Sequence, residues 1–207
     1  MPLNTRYLKE LSALFVADLQ RSDYYRRLPQ NQQRDLDDRL ATEASQGLHP
    51  LLPGADEVEL ERLSEAFNEK LHVQLPGAVL DILRQVDGFT ENGVSLYGVD
   101  GELRDDQFDS GPGLLSENLV NWSGFPEALQ KYLFVGDSDL WHFAVELATG
   151  HPVVLHKSSL KQAHRFATME ELVNDMMQQA LSDFGDETDD PQDESGDQPA
   201  GFRFSRN

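Results

Sequence analysis

The first part of the chain has apolar residues at helical spacing, which predicts two N-terminal helices. The first predicted helix ends near Leu19 and has Asn4 as a candidate N-cap. Its apolar face is formed by Leu3, Tyr7, Leu11 and Phe15. Residues 29–44 predict a second, more polar helix, and the segment 47–54, which contains two prolines and two glycines, indicates a boundary. We therefore predict an N-terminal helical extension over residues 1–55, whose apolar face packs either on the rest of the chain or on a second copy in a homodimer.

Two stronger amphipathic patterns follow this boundary. Asp56 and Glu59 have the spacing of a capping box at the start of a helix that ends near Leu71. Pro76 marks the first turn of another helix, and Gly88 marks its end. Both patterns carry a continuous apolar face, so we expect both helices to pack on a common core.

After Gly93 the apolar pattern changes from helical spacing to short alternating runs. Strands are predicted over residues 94–99, 133–135, 141–147 and 152–156. The short connection 148–150 makes the last two strands an antiparallel hairpin. Thr168 and Glu171 then form a second capping-box sequence, at the start of a closing helix. The order of helices, strands and a final helix predicts an α+β fold, with a central antiparallel sheet flanked by helices, over residues 56–181.

Charge changes this picture more than overall composition does. The 207 residues include 17 Lys and Arg against 37 Asp and Glu, a net charge of −20. Residues 41–181 alone carry −15, so the predicted domain is itself strongly acidic. Such a charge disfavours binding to nucleic acid and to anionic membranes, and it favours a basic protein partner.

The C-terminal segment 182–207 is predicted to be a disordered acidic tail. Its like charges, prolines and glycines leave few apolar groups to repay the entropy of ordering. Phe202 and Phe204, flanked by Arg203 and Arg206, interrupt the acidic pattern near its end. The sequence does not indicate where these two aromatic residues dock.

Several classes of chemistry are disfavoured by the sequence. The chain has no cysteine, which excludes disulfides, thiolate metal sites and a cysteine nucleophile. Its first 20 residues lack the apolar core of a signal peptide, and no stretch has the length and apolarity of a membrane span, so we expect a cytoplasmic protein. Phosphate-binding and dinucleotide-binding glycine motifs are not found. No pair of carboxylates is singled out for catalysis, and we expect no enzyme activity and no cofactor.

His142 lies near Asp137 and Asp139 in the sequence, and these three residue types can serve as metal ligands. On the predicted strand, Trp141 and Phe143 point to the opposite face from His142. We therefore expect His142 to lie on a polar surface, and we expect no metal site.

Acidic residues concentrate in and beside the segment 101–113. The candidate partner-binding residues are Glu91, Asp100, Glu102, Asp105, Asp106 and Asp109. One interpretation is an ordinary solvated loop. The other is a negative patch on a rigid scaffold, which would accelerate association with a cationic partner.

Several short motifs, in order, resemble the SUKH superfamily, which includes a yeast cell-wall-synthesis regulator and many bacterial immunity proteins. Residues 75–89 are similar to its LP…L…NGF helix, and residues 96–100 to its "lyG" strand. Residues 134–143 are similar to its "fvGdsd…w" hairpin, and residues 149–154 to its "tG.y.v" return strand. The closing helix from Thr168 also resembles that of the family, and the wording is closest to the YrhA-like branch. Asp87 departs from the pattern, since asparagine is usual before Gly-Phe; aspartate supports a turn about as well, so we interpret Asp87 as a turn residue.

The residues that carry this resemblance are interpreted as structural. They are Leu75, Pro76, Gly88, Phe89, Gly98, Gly136, Asp137 and Trp141. Gly88 is expected to adopt a positive φ, and Gly98 and Gly136 to allow either a bend or close backbone contact in their strands. Asp137 is expected to bond turn amides, and Trp141 to supply buried area.

The resemblance implies a cytoplasmic immunity protein without catalytic activity. Such a protein binds a cognate toxin, often from a contact-dependent or type VI system, and covers its active site or substrate groove. Many such toxins are nucleases, whose grooves are basic and would suit an acidic partner. The alternative is a regulatory or scaffolding interaction module, as the yeast relative suggests.

Overall fold

The computed structural model describes residues 2–104, 111–125, 128 and 130–182. Within these residues the helices are α1 (Thr5–Arg21), α2 (Asp23–Arg27), α3 (Gln30–Ser45), α4 (Glu57–Leu71), α5 (Gly77–Leu83), α6 (Leu114–Gly124) and α7 (Met169–Leu181). The strands are β1 (Phe89–Glu91), β2 (Val94–Leu96), β3 (Tyr132–Asp137), β4 (Trp141–Glu146), β5 (His151–His156) and β6 (Gln162–Arg165). The α+β prediction is confirmed. Most of the predicted acidic tail lies outside the described residues.

The strands form one antiparallel sheet in the order β1-β2-β3-β4-β5-β6. Sequential neighbours pair throughout, as short connections between antiparallel strands allow. The predicted hairpin of β4 and β5 is confirmed, with Val145 opposite Pro152. Strands β1 and β6 were not predicted, because β1 has three residues and β6 is largely exposed and polar.

Helix α1 packs on α7 and joins the main core. The backbone amide of Asn4 donates to Asn174 Oδ1 at 2.7 Å, and the Ser12 hydroxyl donates to the carbonyl of Pro50 at 2.6 Å. Leu3 and Leu11 belong to the same buried cluster as the sheet residues. The apolar face of α1 therefore packs within the chain. A homodimer through the N-terminal helices, and a domain boundary at residue 55, stay predictions.

The predicted capping box of α4 is confirmed. Asp56 Oδ1 accepts from the Glu59 amide at 2.8 Å, and Glu59 Oε2 accepts from the Asp56 amide at 3.0 Å. At the start of α7, Thr168 accepts from the Glu171 amide at 3.3 Å, but the predicted capping box is incomplete, since Glu171 Oε2 accepts from the Ala167 amide at 3.0 Å and not from that of Thr168. Pro76 precedes α5 as its N-cap residue and is not its first helical residue. These local contacts determine where the helices begin.

Two motif glycines lie where a side chain does not fit. Gly88 has φ +75°, and a Cβ there would lie 2.9 Å from the carbonyl oxygen of Leu96. A Cβ on Gly136 would overlap the carbonyl oxygen of Ser95 and lie 2.6 Å from Met176 Cε. The positive φ predicted for Gly88 is confirmed, but α5 ends at Leu83, before the predicted end at Gly88. The close approach predicted at Gly136 is confirmed, since the absence of a side chain there lets α7 approach the sheet.

Helix α6 completes the edge of β3 beyond the end of β2. The Asn118 side chain donates to the carbonyl of Phe134 at 2.7 Å and accepts from its amide at 2.9 Å. The Trp122 indole donates to the carbonyl of Tyr132 at 2.8 Å. These side chains satisfy backbone groups that a longer β2 would otherwise pair. This arrangement places the first turn of α6 beside the acidic segment.

Candidate partner-binding surface

The acidic segment leaves and rejoins the fold at one point. The Gly98 amide donates to the carbonyl of Pro112 at 3.0 Å, and the Leu114 amide donates to the carbonyl of Gly98 at 2.7 Å. Gly98 and Gly113 form an isolated parallel bridge at this point. Residues 99–112, named here the acidic loop, are therefore held at both ends by backbone hydrogen bonds. The predicted close backbone approach at Gly98 is confirmed.

A group of buried charged side chains anchors the acidic loop to the interior of the domain. The Arg104 side chain is 3% exposed; its Nη1 pairs with Asp87, and its Nη2 lies 3.6 Å from Glu59 Oε1. The Asp87 side chain is fully buried, and its Oδ1 accepts from the Val99 amide at 2.6 Å. A buried charge requires a partner of opposite charge or a hydrogen bond. Removing one partner from a buried ion pair strongly destabilises the folded protein. Asp87, the departure from the SUKH pattern, is thus more than a turn residue, since it carries the charge that fixes Arg104.

Asp100 has a structural contact that the sequence did not predict. Its Oδ2 accepts from the Leu115 amide at 2.8 Å, and its Oδ1 accepts from the Ser116 amide at 2.9 Å. A carboxylate at this position satisfies open amides of the first turn of α6 and complements the helix dipole. Asp100 therefore links the acidic loop to α6. Its contact with a partner stays a prediction.

The other candidate acids are placed as follows. Glu102 is exposed on a single 3-10 turn, Gly101–Leu103, within the acidic loop. Glu91 lies half-buried on β1, where burial and the nearby Asp18 raise the pKa of its carboxyl group. Asp105, Asp106 and Asp109 lie outside the described residues. The structure therefore brings Asp100 and Glu102 together, and it places Glu91 beside α1.

A depression of about 610 Å³ borders the described part of the acidic loop. Its lining includes Asp100, Glu102, Ser116 and Leu119, together with Lys70 from the end of α4. Carboxylates beside an exposed leucine are suited to a basic side chain with an apolar stem. The acidic loop therefore borders a concave surface into which a partner side chain could fit.

Sequence reasoning missed an extension of the acidic surface along α6. Burial, then the neighbouring Asp137 and Asp100, raises the pKa of the Glu117 carboxyl group. Burial, then Asp137 and Glu117, likewise raises the pKa of the Tyr97 hydroxyl. The expectation that Asp137 bonds turn amides is wrong: its carboxylate lies 2.5 Å from the Lys157 ammonium and forms an ion pair at the end of β3. The available signal was the position of Glu117 in the first turn of the helix that follows the acidic loop.

The prediction that His142 lies on a polar surface is wrong. His142 is 5% exposed, and its ring centroid lies 4.9 Å from that of Phe134 and 5.9 Å from that of Phe125. Burial, then the nearby Lys157 charge, lowers its pKa to about 4, and its Nδ1 has no hydrogen-bond partner. Five consecutive residues of β4 are buried, Trp141–Val145. The prediction failed because it assumed that one face of the strand is solvated, whereas both are covered.

Within the described ranges, no group of three or more His, Asp or Glu side chains is arranged to hold a metal ion. Likewise, no helix in this part of the chain is long and apolar enough to cross a membrane.

Comparison of the chain with protein-family models, curated proteins and solved structures finds no match. The resemblance to the SUKH superfamily therefore rests on the sequence motifs alone, and membership stays a prediction.

Proposed function

We propose that this protein is a non-catalytic, cytoplasmic immunity protein of the SUKH type. It binds a cognate toxin that has a basic surface, such as the substrate groove of a nuclease, and blocks that surface stoichiometrically. The observation that carries the proposal is the anchored acidic loop. Its ends are joined at Gly98 and Gly113, and Arg104 is held by a buried ion group.

Anchoring matters because binding costs conformational entropy. A segment that is already held at both ends, with Asp100 bonded to α6, loses less freedom when it meets a partner than an unattached acidic peptide does. The loop also carries Glu102, Asp105, Asp106 and Asp109. These four charges are part of the −15 of residues 41–181, and their concentration in one loop supports rapid capture of a cationic toxin.

The proposal is tested by coexpression with the product of the adjacent gene. We expect that product to inhibit growth alone, and we expect this protein to restore growth and to co-purify with it as a stable complex. A neighbour that is not toxic, or that does not co-purify, contradicts the proposal. Recovery of several host proteins and no toxin would instead favour a regulatory or scaffolding module.

A matched pair of charge variants tests the role of the acidic loop in that complex. The first is the triple variant Asp105→Asn, Asp106→Asn, Asp109→Asn. The control carries Asp→Asn at the exposed positions 23, 35 and 38, so both change the net charge equally. We expect the loop variant to associate about tenfold or more slowly at low salt, and the control to retain most of the rate. Equal slowing in both would show that net charge matters and that the loop does not.

A further inference from the structure

Helices α1 and α3 form a groove that is remote in sequence from the acidic loop. The groove has a volume of about 460 Å³. Its apolar wall includes Ala13, Val16, Leu40, Ala41 and Leu48. Leu48 is 57% exposed, among the most exposed large apolar residues in the described chain. An apolar groove of this size accommodates large side chains. Exposed apolar surfaces of this kind commonly mark a site at which another segment or molecule binds.

We infer that the C-terminal segment of the same chain, residues 201–207, docks in this groove through Phe202 and Phe204. This inference is independent of the proposed toxin binding. In the sequence beyond Gly185, these two residues are the only large apolar side chains. Aromatic rings bury large areas at a low entropic cost, so they are the groups in this segment suited to fill an apolar groove.

The exit point of the chain places the segment within reach of the groove. The Asn92 side chain donates to the carbonyl of Ala180, at the end of α7, at 2.6 Å. The neighbouring Glu91 is close enough to Asp18 of α1 for their charges to interact. The chain therefore leaves α7 near the C-terminal half of α1, the helix that supplies Val16 and Gln20 to the groove.

The linker is long enough to make the connection. Residues 182–201 number 20, and a chain of that length can reach at most roughly 70 Å. The path from one side of α1 to another is on the order of one helix diameter, about 10 Å. Tethering of this kind gives an effective concentration in roughly the millimolar range, so even a weak contact is populated.

Charge favours the same arrangement. Asp37 lines the groove at the end near Gln20, and it accepts hydrogen bonds from Gln20 at 3.0 Å and from the Tyr25 hydroxyl at 2.7 Å. The docking segment carries Arg203 between the two phenylalanines, and Arg206 after them. An arginine beside Asp37 would complement this carboxylate, whereas Lys9, which also lines the groove, lies on α1 well before Gln20.

A spin label attached to the tail tests this docking directly. Because the chain has no cysteine, Ser205→Cys gives a single attachment site for a nitroxide. In NMR spectra of the full-length protein, the nitroxide weakens the amide resonances of residues close to it. We expect the amide resonances of Ala13, Val16 and Leu48 to lose the most intensity, about half or more, because tethered docking keeps the label near the groove. Uniform losses, or losses centred elsewhere, would overturn the inference.

Two variants and one mixing experiment complete the test. Phe202→Ser with Phe204→Ser should abolish the losses without touching the fold of residues 2–182, and Leu48→Asp should reduce them strongly. Leu140→Asp is the matched control, since Leu140 is 49% exposed and lies outside the groove, and it should leave the losses unchanged. Spin-labelled chains mixed with isotopically labelled, unmodified chains should give no groove losses. Losses in this mixture would assign the groove to a second copy and overturn docking within one chain.

Discussion

Replacing Asp87 with asparagine tests whether the buried ion group holds the acidic loop. The substitution preserves size and keeps an oxygen that can accept from the Val99 amide, which Asp87 Oδ1 does at 2.6 Å. It removes the negative charge that pairs with Arg104, whose side chain is almost fully buried. The amide nitrogen also presents a donor, and the guanidinium has no acceptor to offer it. The substitution therefore removes one negative charge from the interior and adds a donor that the guanidinium cannot satisfy.

The expected magnitude follows from what remains around Arg104. Breaking a buried ion pair costs about 3–5 kcal/mol when one charge is left behind. Glu59 remains 3.6 Å from the Arg104 guanidinium, which places the expected loss at the lower end, about 3 kcal/mol. For a chain of this size that corresponds to a fall in Tm of roughly 6–12 °C.

Urea unfolding followed by circular dichroism measures this loss, with Asp81→Asn as the matched control. Asp81 also pairs with an arginine, since Arg84 Nη1 lies 2.7 Å from its Oδ1, but that pair is solvent-exposed. We expect the control to lose less than about 1 kcal/mol. A double-mutant cycle with Arg104→Met should show a coupling energy of about 2 kcal/mol or more. A loss for Asp87→Asn as small as that of the control would refute the assignment of Arg104 as an anchor.

Two further predictions address His142 and Gly136. The folded chain protonates His142 only near pH 4, whereas an unfolded histidine does so near pH 6.5, so stability falls as pH drops through this interval, by about 2–3 kcal/mol at pH 4.5. Urea unfolding at pH 7.5 and pH 4.5 should show that His142→Leu removes this loss of stability. The control Leu155→Val should be destabilised by the same amount at both pH values. If the free energy of unfolding falls equally with pH in His142→Leu and wild type, the burial of a neutral imidazole is contradicted. Gly136→Ala should destabilise by about 1–3 kcal/mol, because its Cβ overlaps the Ser95 carbonyl, whereas Gly77→Ala, with open space around it, should be neutral or slightly stabilising. Thermal unfolding of both variants measures this, and equal Tm values would contradict the close approach at Gly136.

Much of the fold was predictable because its signals are local. The cap at Asp56 and the turn at Gly88 depend on residues within a few positions of each other, and the structure has both. The long apolar strands were also recognised, as was the closing helix after Thr168. Strand β6 was missed because its four residues are mostly polar, and only pairing with β5 makes it a strand.

The candidate site was less predictable, since its contacts join distant parts of the chain. Asp100 was recognised as one of several acids, but its bonds to the first turn of α6 span 15 and 16 residues. Asp87 was interpreted as a turn residue, because nothing near it in sequence indicates a buried arginine. His142 was assigned to a polar surface, because alternation along a strand cannot show that both faces of the sheet are covered.

The α+β order of elements, the start of α4, the strongly acidic charge and the motifs that resemble the SUKH superfamily could all be inferred from the amino-acid sequence. These features depend on periodicity, on capping residues and on composition, all of which can be read from residues close together in the sequence or from residue counts. Three features depend on the folded chain: α1 joins the common core, Asp87 and Arg104 pair in the interior, and α6 completes the edge of β3. The physical reason is that burial and charge pairing depend on which distant residues become neighbours, and packing of the whole chain sets those neighbours.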